Sequence, residues 1–157
     1  MTPADFASLC VLLVDDNRHT RAVVRTILEA LGVTKLREAV DGTDGIQKFQ
    51  LFPADIIICD RVMEPMDGLE FVRRVRTGNE SPNPYVPIIM LTAHTELNRI
   101  VEARNAGVHE VLAKPISAKA LADRIMTILR NPRPFVRRGE YFGPVQRRDL
   151  PAAAVGS

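Results

Sequence analysis

The stretch "ADIIICDRVMEPMDG", residues 54–68, carries four consecutive apolar residues, Ile56 to Cys59, straight into Asp60. A run without polar alternation reads as a strand covered on both faces, as in a parallel sheet sandwiched between helices. "CVLLVDD" (10–16) and "PIIMLTA" (87–93) follow the same rule, and shorter strands are expected in "KLREAVDG" (35–42) and "EVLAK" (110–114). Between these strands, apolar residues recur at helical spacing. Val24, Ile27, Leu28 and Leu31 share a face that Gly32 ends. Ile46 and Phe49 mark a short helix that must stop before Pro53. Leu69, Phe71, Val72 and Val75 mark a helix over 68–76, and Leu97, Ile100 and Val101 one closed by Gly107. Leu121, Ile125, Ile128 and Leu129 mark a last helix, which Ser117 caps. Strand and helix thus alternate five times over about 120 residues, which predicts an α/β fold with helices on both faces of the sheet.

A length of 157 residues suits one domain with a real core. The net charge of +2 gives no bulk attraction to nucleic acid. No apolar stretch approaches a membrane span, and "MTPADFASLC" lacks the basic start and apolar core of a signal peptide, so a cytoplasmic location is expected. If Asp15 and Asp60 sit level at one sheet edge, Cys10 and Cys59 are offset by roughly 13 Å along the strands. A disulfide needs Cα atoms within about 7 Å, so two reduced thiols are expected.

In folds of this kind, ligands bind beyond the carboxyl ends of the strands. Those ends carry Asp15 and Asp16, Asp60, Thr92 and Lys114. Three carboxylates converging on one crevice are tolerated when a divalent cation sits among them, and hard oxygen ligands suit Mg²⁺. A lysine and a hydroxyl beside them are what the oxygens of a transferred phosphoryl group require. Attack of one carboxylate on phosphorus would then give an aspartyl phosphate.

With "LLVDDN" (12–17), "IIICDRVMEPMDG" (56–68), "PIIMLTA" (87–93) and "AKPI" (113–116) in order, the chain resembles the receiver domain of two-component response regulators over about 9–130. The resemblance implies a flavodoxin-like five-stranded parallel sheet in the order 2-1-3-4-5. It implies that Asp60 is the phosphoacceptor, that Asp16, Asp60 and the Val62 carbonyl bind Mg²⁺ (Mn²⁺ as the alternative ion), and that Asp15 acts through a metal-bound water. Thr92, Ala93 and Lys114 would contact the phosphoryl oxygens, and Pro115 would follow a cis peptide. The implied protein is not a classical enzyme: it takes part only in its own phosphorylation and dephosphorylation.

Several positions depart from the family pattern. Val111 stands where the last strand usually carries an aromatic residue or histidine that couples phosphorylation to the output surface. Val62 and His94 flank the phosphoryl site and are expected to modulate its lifetime. His109 is expected to be a surface residue at the strand start, and Arg61 a solvated edge charge.

Residues 1–8 read as an N-terminal extension, 9–130 as the receiver and 131–157 as a tail. The tail, "NPRPFVRRGEYFGPVQRRDLPAAAVGS", is basic and shows no helical or strand period. It contains Arg133, Arg137, Arg138, Arg147 and Arg148 with Phe135, Tyr141 and Phe142. Its apolar patches suggest docking on the domain or exchange between subunits in a homodimer, with disorder as the alternative and nucleic-acid binding disfavoured. No output domain follows, which suggests a single-domain regulator. The expected donor is a sensor histidine kinase or a histidine phosphotransfer protein, and the expected output is phosphorylation-dependent binding of a target protein. A phosphorelay intermediate and a phosphorylation-independent adaptor are the alternatives.

Overall fold

The computed structural model describes residues 3–93 and 97–146, with side chains from Phe6 onward. A short helix α1 (Pro3–Ser8) leads into β1 (Cys10–Val14), α2 (Arg18–Leu31), β2 (Lys35–Ala39), α3 (Gly42–Leu51), β3 (Ile56–Asp60) and α4 (Gly68–Thr77). Then come β4 (Ile88–Thr92), α5 (Leu97–Ala106), β5 (Glu110–Ala113), α6 (Ala118–Arg130), β6 (Phe135–Arg138) and β7 (Tyr141–Pro144). The first five strands form one parallel sheet in the order β2-β1-β3-β4-β5, as the resemblance implied.

The two-residue period of a strand divides the apolar runs between two cores. Leu12, Val14, Ile57, Cys59, Ile88 and Met90 face α3, α4 and α5, where Phe49, Phe71, Val72 and Val75 meet them. Val11, Leu13, Ile56, Ile58, Ile89 and Leu91 face α2 and α6, against Val24, Leu28, Leu121 and Ile125. Phe6 of α1 joins this second core, which makes the start of the chain more than an appendage. Phe71 is fully buried, and a ring so placed stabilises the fold by about 1.5–3 kcal/mol through area removed from water.

Four of the helices, α2, α3, α4 and α6, start on side-chain caps. Asn17, Asp41, Asp67 and Ser117 each accept a hydrogen bond from the backbone N–H three residues on, so one otherwise orphaned donor is satisfied in each case. Gly32 ends α2 at φ 108°, a left-handed conformation that an L side chain resists. Cys10 pairs with Lys35 across one sheet neighbour, and Cys59 lies opposite Val14, four positions away; both cysteines are free.

The tail differs from its sequence reading. Instead of lacking strand structure, residues 135–144 fold into an antiparallel hairpin closed at Gly139, φ 61°. The hairpin lies at the amino ends of β4 and β5. Its Phe135 and Phe142 rings pack edge-on against Tyr85 at 5.2 and 5.6 Å and against each other at 5.5 Å. Beneath them, Arg76 is 2% exposed and stacks on Phe135 at 5.0 Å. Its guanidinium donates to the carbonyls of Gly107 (2.9 Å), Pro84 (2.9 Å) and Val86 (2.6 Å), and its remaining nitrogen meets His109 Nδ1 at 3.3 Å. His109 is therefore buried rather than on the surface, and the Ile88 N–H also donates to its Nδ1. Burial foremost, then the Arg76 charge, pushes its pKa down to about 3, so the ring is neutral. Burial also pulls Arg76 down to about 9, which leaves it cationic at neutral pH. Arg133, in the segment between α6 and β6, forms an ion pair with Glu110 at 3.0 Å.

Candidate functional site

The register of the sheet assembles the crevice. Val14 lies opposite Cys59, so the next residues, Asp15 and Asp60, emerge level from adjacent strands. The Arg61 N–H donates to the Leu91 carbonyl and the Lys114 N–H to the Thr92 carbonyl, which carries the same level across β4 to the end of β5. Gly68 is required here for space: a Cβ on it would collide with the carbonyl oxygen of Asp60. The loop can therefore fold back under Asp60, where the Gly68 N–H donates to the Arg61 carbonyl at 2.8 Å.

Asp15, Asp16 and Asp60 each bring a carboxylate oxygen within 4.8 Å of the others. Asp15 is fully enclosed, Asp60 is 6% exposed and Asp16 faces solvent. The Lys114 ammonium lies 2.6 Å from Asp60 Oδ1 and 3.9 Å from Asp15 Oδ2. Asp15 Oδ1 accepts from the Asn17 N–H at 2.8 Å, whereas Oδ2 is buried with no hydrogen-bond partner among the described residues. Burial, opposed by the Asn17 N–H and reinforced by the Asp60 charge, raises the Asp15 pKa to about 6. An orphaned carboxylate oxygen in a cluster with only one ammonium is the donor set of a hard divalent cation, and the residues fit that group.

Thr92 is 3% exposed at the end of β4, and Ala93 after it is exposed. Val62 is 58% exposed in the turn after Asp60. The Lys114–Pro115 peptide is cis, and so is Glu64–Pro65, which sequence reasoning did not anticipate. Val111 is partly buried against the core of α3, α4 and α5. His94 lies outside the described residues, as do Arg147 and Arg148.

Arg61 corrects the sequence reading. It is 7% exposed rather than solvated, and its Nη2 donates to Glu102 of α5 at 2.7 Å. It thus ties the residue after Asp60 to the helix that follows β4. Its Nη1 is buried without a hydrogen-bond partner among the described residues.

The chain matches the family described as the response regulator receiver domain over residues 11–126. It belongs to that family. The receiver is 32% identical over 118 residues to the chemotaxis protein CheY of Pseudomonas aeruginosa, an alignment that covers 75% of this chain and 94% of that one. Among solved structures, the chemotaxis protein CheY4 of Vibrio cholerae is 32% identical with a TM-score of 0.69, over 75% of this chain and 96% of that one. A response regulator receiver domain protein from Clostridium thermocellum is 25% identical with a TM-score of 0.69, over 78% and 94%. Receivers of this family are signalling proteins of two-component systems rather than classical enzymes, and this receiver presents the acidic pocket such signalling uses. The hairpin lies beyond the residues that match the family.

Proposed function

We propose that this receiver accepts a phosphoryl group on Asp60 from a phosphohistidine of a sensor histidine kinase or histidine phosphotransfer protein, and signals by changing its affinity for a partner protein. The observation that carries this reading is the Lys114 ammonium at 2.6 Å from one oxygen of a carboxylate that lies within 4.8 Å of two others. Asp60 is nearly buried, held by β3 and placed at the mouth of the crevice. One of its oxygens attacks phosphorus, the new O–P bond forms as the P–N bond to the donor imidazole breaks, and the electron pair returns to the ring nitrogen. Lys114, already on Asp60, is placed to follow the charge onto a phosphoryl oxygen, and the Thr92 hydroxyl and Ala93 backbone complete the cradle.

Asp16, Asp60 and the Val62 carbonyl would hold Mg²⁺, with Asp15 acting through a water. When bound, the ion neutralises charge on the carboxylates and on the phosphoryl oxygens. Cytoplasmic work follows from this donor class. Val62 and His94, flanking the phosphoryl site, are proposed to set the phosphoryl lifetime, and Val111 to contribute to the output surface without an aromatic switch.

The test is phosphotransfer from a labelled histidine donor. Label appears on the wild type in Mg²⁺, and is absent with EDTA or in Asp60→Asn. Labelling of Asp60→Asn equal to wild type sinks the assignment.

A further inference from the structure

We propose that the groove between the hairpin and the C-terminal ends of α4 and α5 docks an acidic peptide segment of a partner protein. The groove has a volume of about 450 Å³, and among the described residues Arg73, Arg76 and Arg138 line it against a single acid, Glu140. Among the described residues, none of these three arginines has a carboxylate within ion-pair distance. Arg73 and Arg138 are exposed. Arg76 is the sharper case, because its buried guanidinium is satisfied by three neutral carbonyls and a neutral imidazole and so carries an uncompensated charge. Burying a cation without a counter-charge is costly, and a carboxylate brought into the groove would supply one.

Ala106, Val136 and Val145 give part of the wall an aliphatic surface, which suits an apolar side chain beside the acid, and Thr77, Asn105 and Gln146 add polar groups for its backbone. Charge complementarity alone would also admit a single-stranded nucleic acid. Base stacking, however, needs free aromatic faces. Here Phe142 is covered by Arg137 at 4.8 Å, Phe135 by Arg76, and the two rings and Tyr85 pack on one another. Tyr141 lines the groove as well, with its hydroxyl donating to the Pro144 carbonyl, and one ring offers a single stacking platform rather than the succession that a strand of bases uses. The observations therefore favour peptide over nucleic acid. The site lies at the opposite end of the sheet from Asp60, so it operates on the unphosphorylated chain and does not depend on the phosphotransfer reading.

The experiment titrates the full chain with a fluorescein-labelled peptide of glutamates and leucines, with its glutamine-for-glutamate counterpart, and with oligodeoxythymidine. The acidic peptide is expected to bind, the glutamine peptide to bind far more weakly, and added salt to weaken the complex. The double variant Arg73→Gln/Arg138→Gln changes only exposed side chains, keeps the thermal midpoint, and is expected to lose about tenfold in affinity. Amide shifts at Ala106 and Val136 locate the contact. Equal binding of both peptides, equal binding by the double variant, no binding, or tighter binding of the oligonucleotide would each overturn the proposal.

Discussion

At the carboxyl ends of the strands, Asp15 is fully enclosed and one of its oxygens meets no hydrogen-bond donor among the described residues. At the amino ends, Arg76 is almost as deeply enclosed, yet each of its guanidinium nitrogens is engaged. One sheet therefore buries charge in two manners. The satisfied cation knits the loop before β4, the turn before β5 and the hairpin into one body. The unsatisfied anion, beside Asp60 and Asp16, is held ready for a group that arrives from outside. Incomplete hydrogen-bond satisfaction falls at the end of the sheet where phosphotransfer is proposed, and complete hydrogen-bond satisfaction, though not charge compensation, at the end that seats the hairpin.

Substitutions at the two ends should separate these roles. The largest expected effect is that of Arg76→Met, which strands the carbonyls of Pro84, Val86 and Gly107 and loosens the hairpin. A loss of about 3–5 kcal/mol in urea denaturation is expected. An unchanged midpoint would remove the structural half of the contrast. The opposite sign is expected at the other end. Asp15 has a folded pKa raised to about 6 from 3.8, so its contribution is favourable below 3.8 and is lost as pH rises through 6. In EDTA at pH 7.5, Asp15→Asn should therefore gain about 2 kcal/mol while losing phosphorylation.

His109 titrates the other way. Its folded pKa is near 3 against 6.5 unfolded, so it is without effect above 6.5 and destabilises as pH falls from 6.5 towards 3. By pH 5 the cost should reach about 2 kcal/mol, and His109→Gln should flatten that limb of the stability–pH curve. A parallel curve for the variant would mean that the folded ring takes up its proton as readily as the unfolded one. The smallest expected change is that of Glu102→Gln. It leaves Arg61 hydrogen-bonded but without its nearest counter-charge, for a loss of about 1 kcal/mol in thermal denaturation, because Glu102 itself is 44% exposed.

The sheet and the crevice were legible because their information is local. "DIIICD" and "CVLLVDD" state both that a strand is dry and where it ends, and a carboxylate at a dry strand's end has only one crevice to enter. The docking of the tail on the domain was legible in its apolar patches, but its strands were not, because they owe their place to Tyr85 and Arg76, which lie far back in the chain. Arg61 and His109 were misjudged for the same reason. Their partners, Glu102 and Arg76, are 41 and 33 positions away, and no single-residue tendency of arginine or histidine encodes such a meeting. The short α1 gave too few apolar repeats to be recognised.

The hairpin meets the domain backbone to backbone. A Cβ on Gly143 would come within 3.0 Å of the Gly107 Cα, and one on Gly107 within 3.1 Å of the Phe142 carbonyl oxygen. Gly107, with φ 112°, thus has two duties, ending α5 and admitting β7. The appendage is consequently not a portable module. Transplanted onto another receiver, it would seat only where the corner between α5 and β5 is a bare glycine, so that a single atom at that corner decides whether the graft lies flat or stands away.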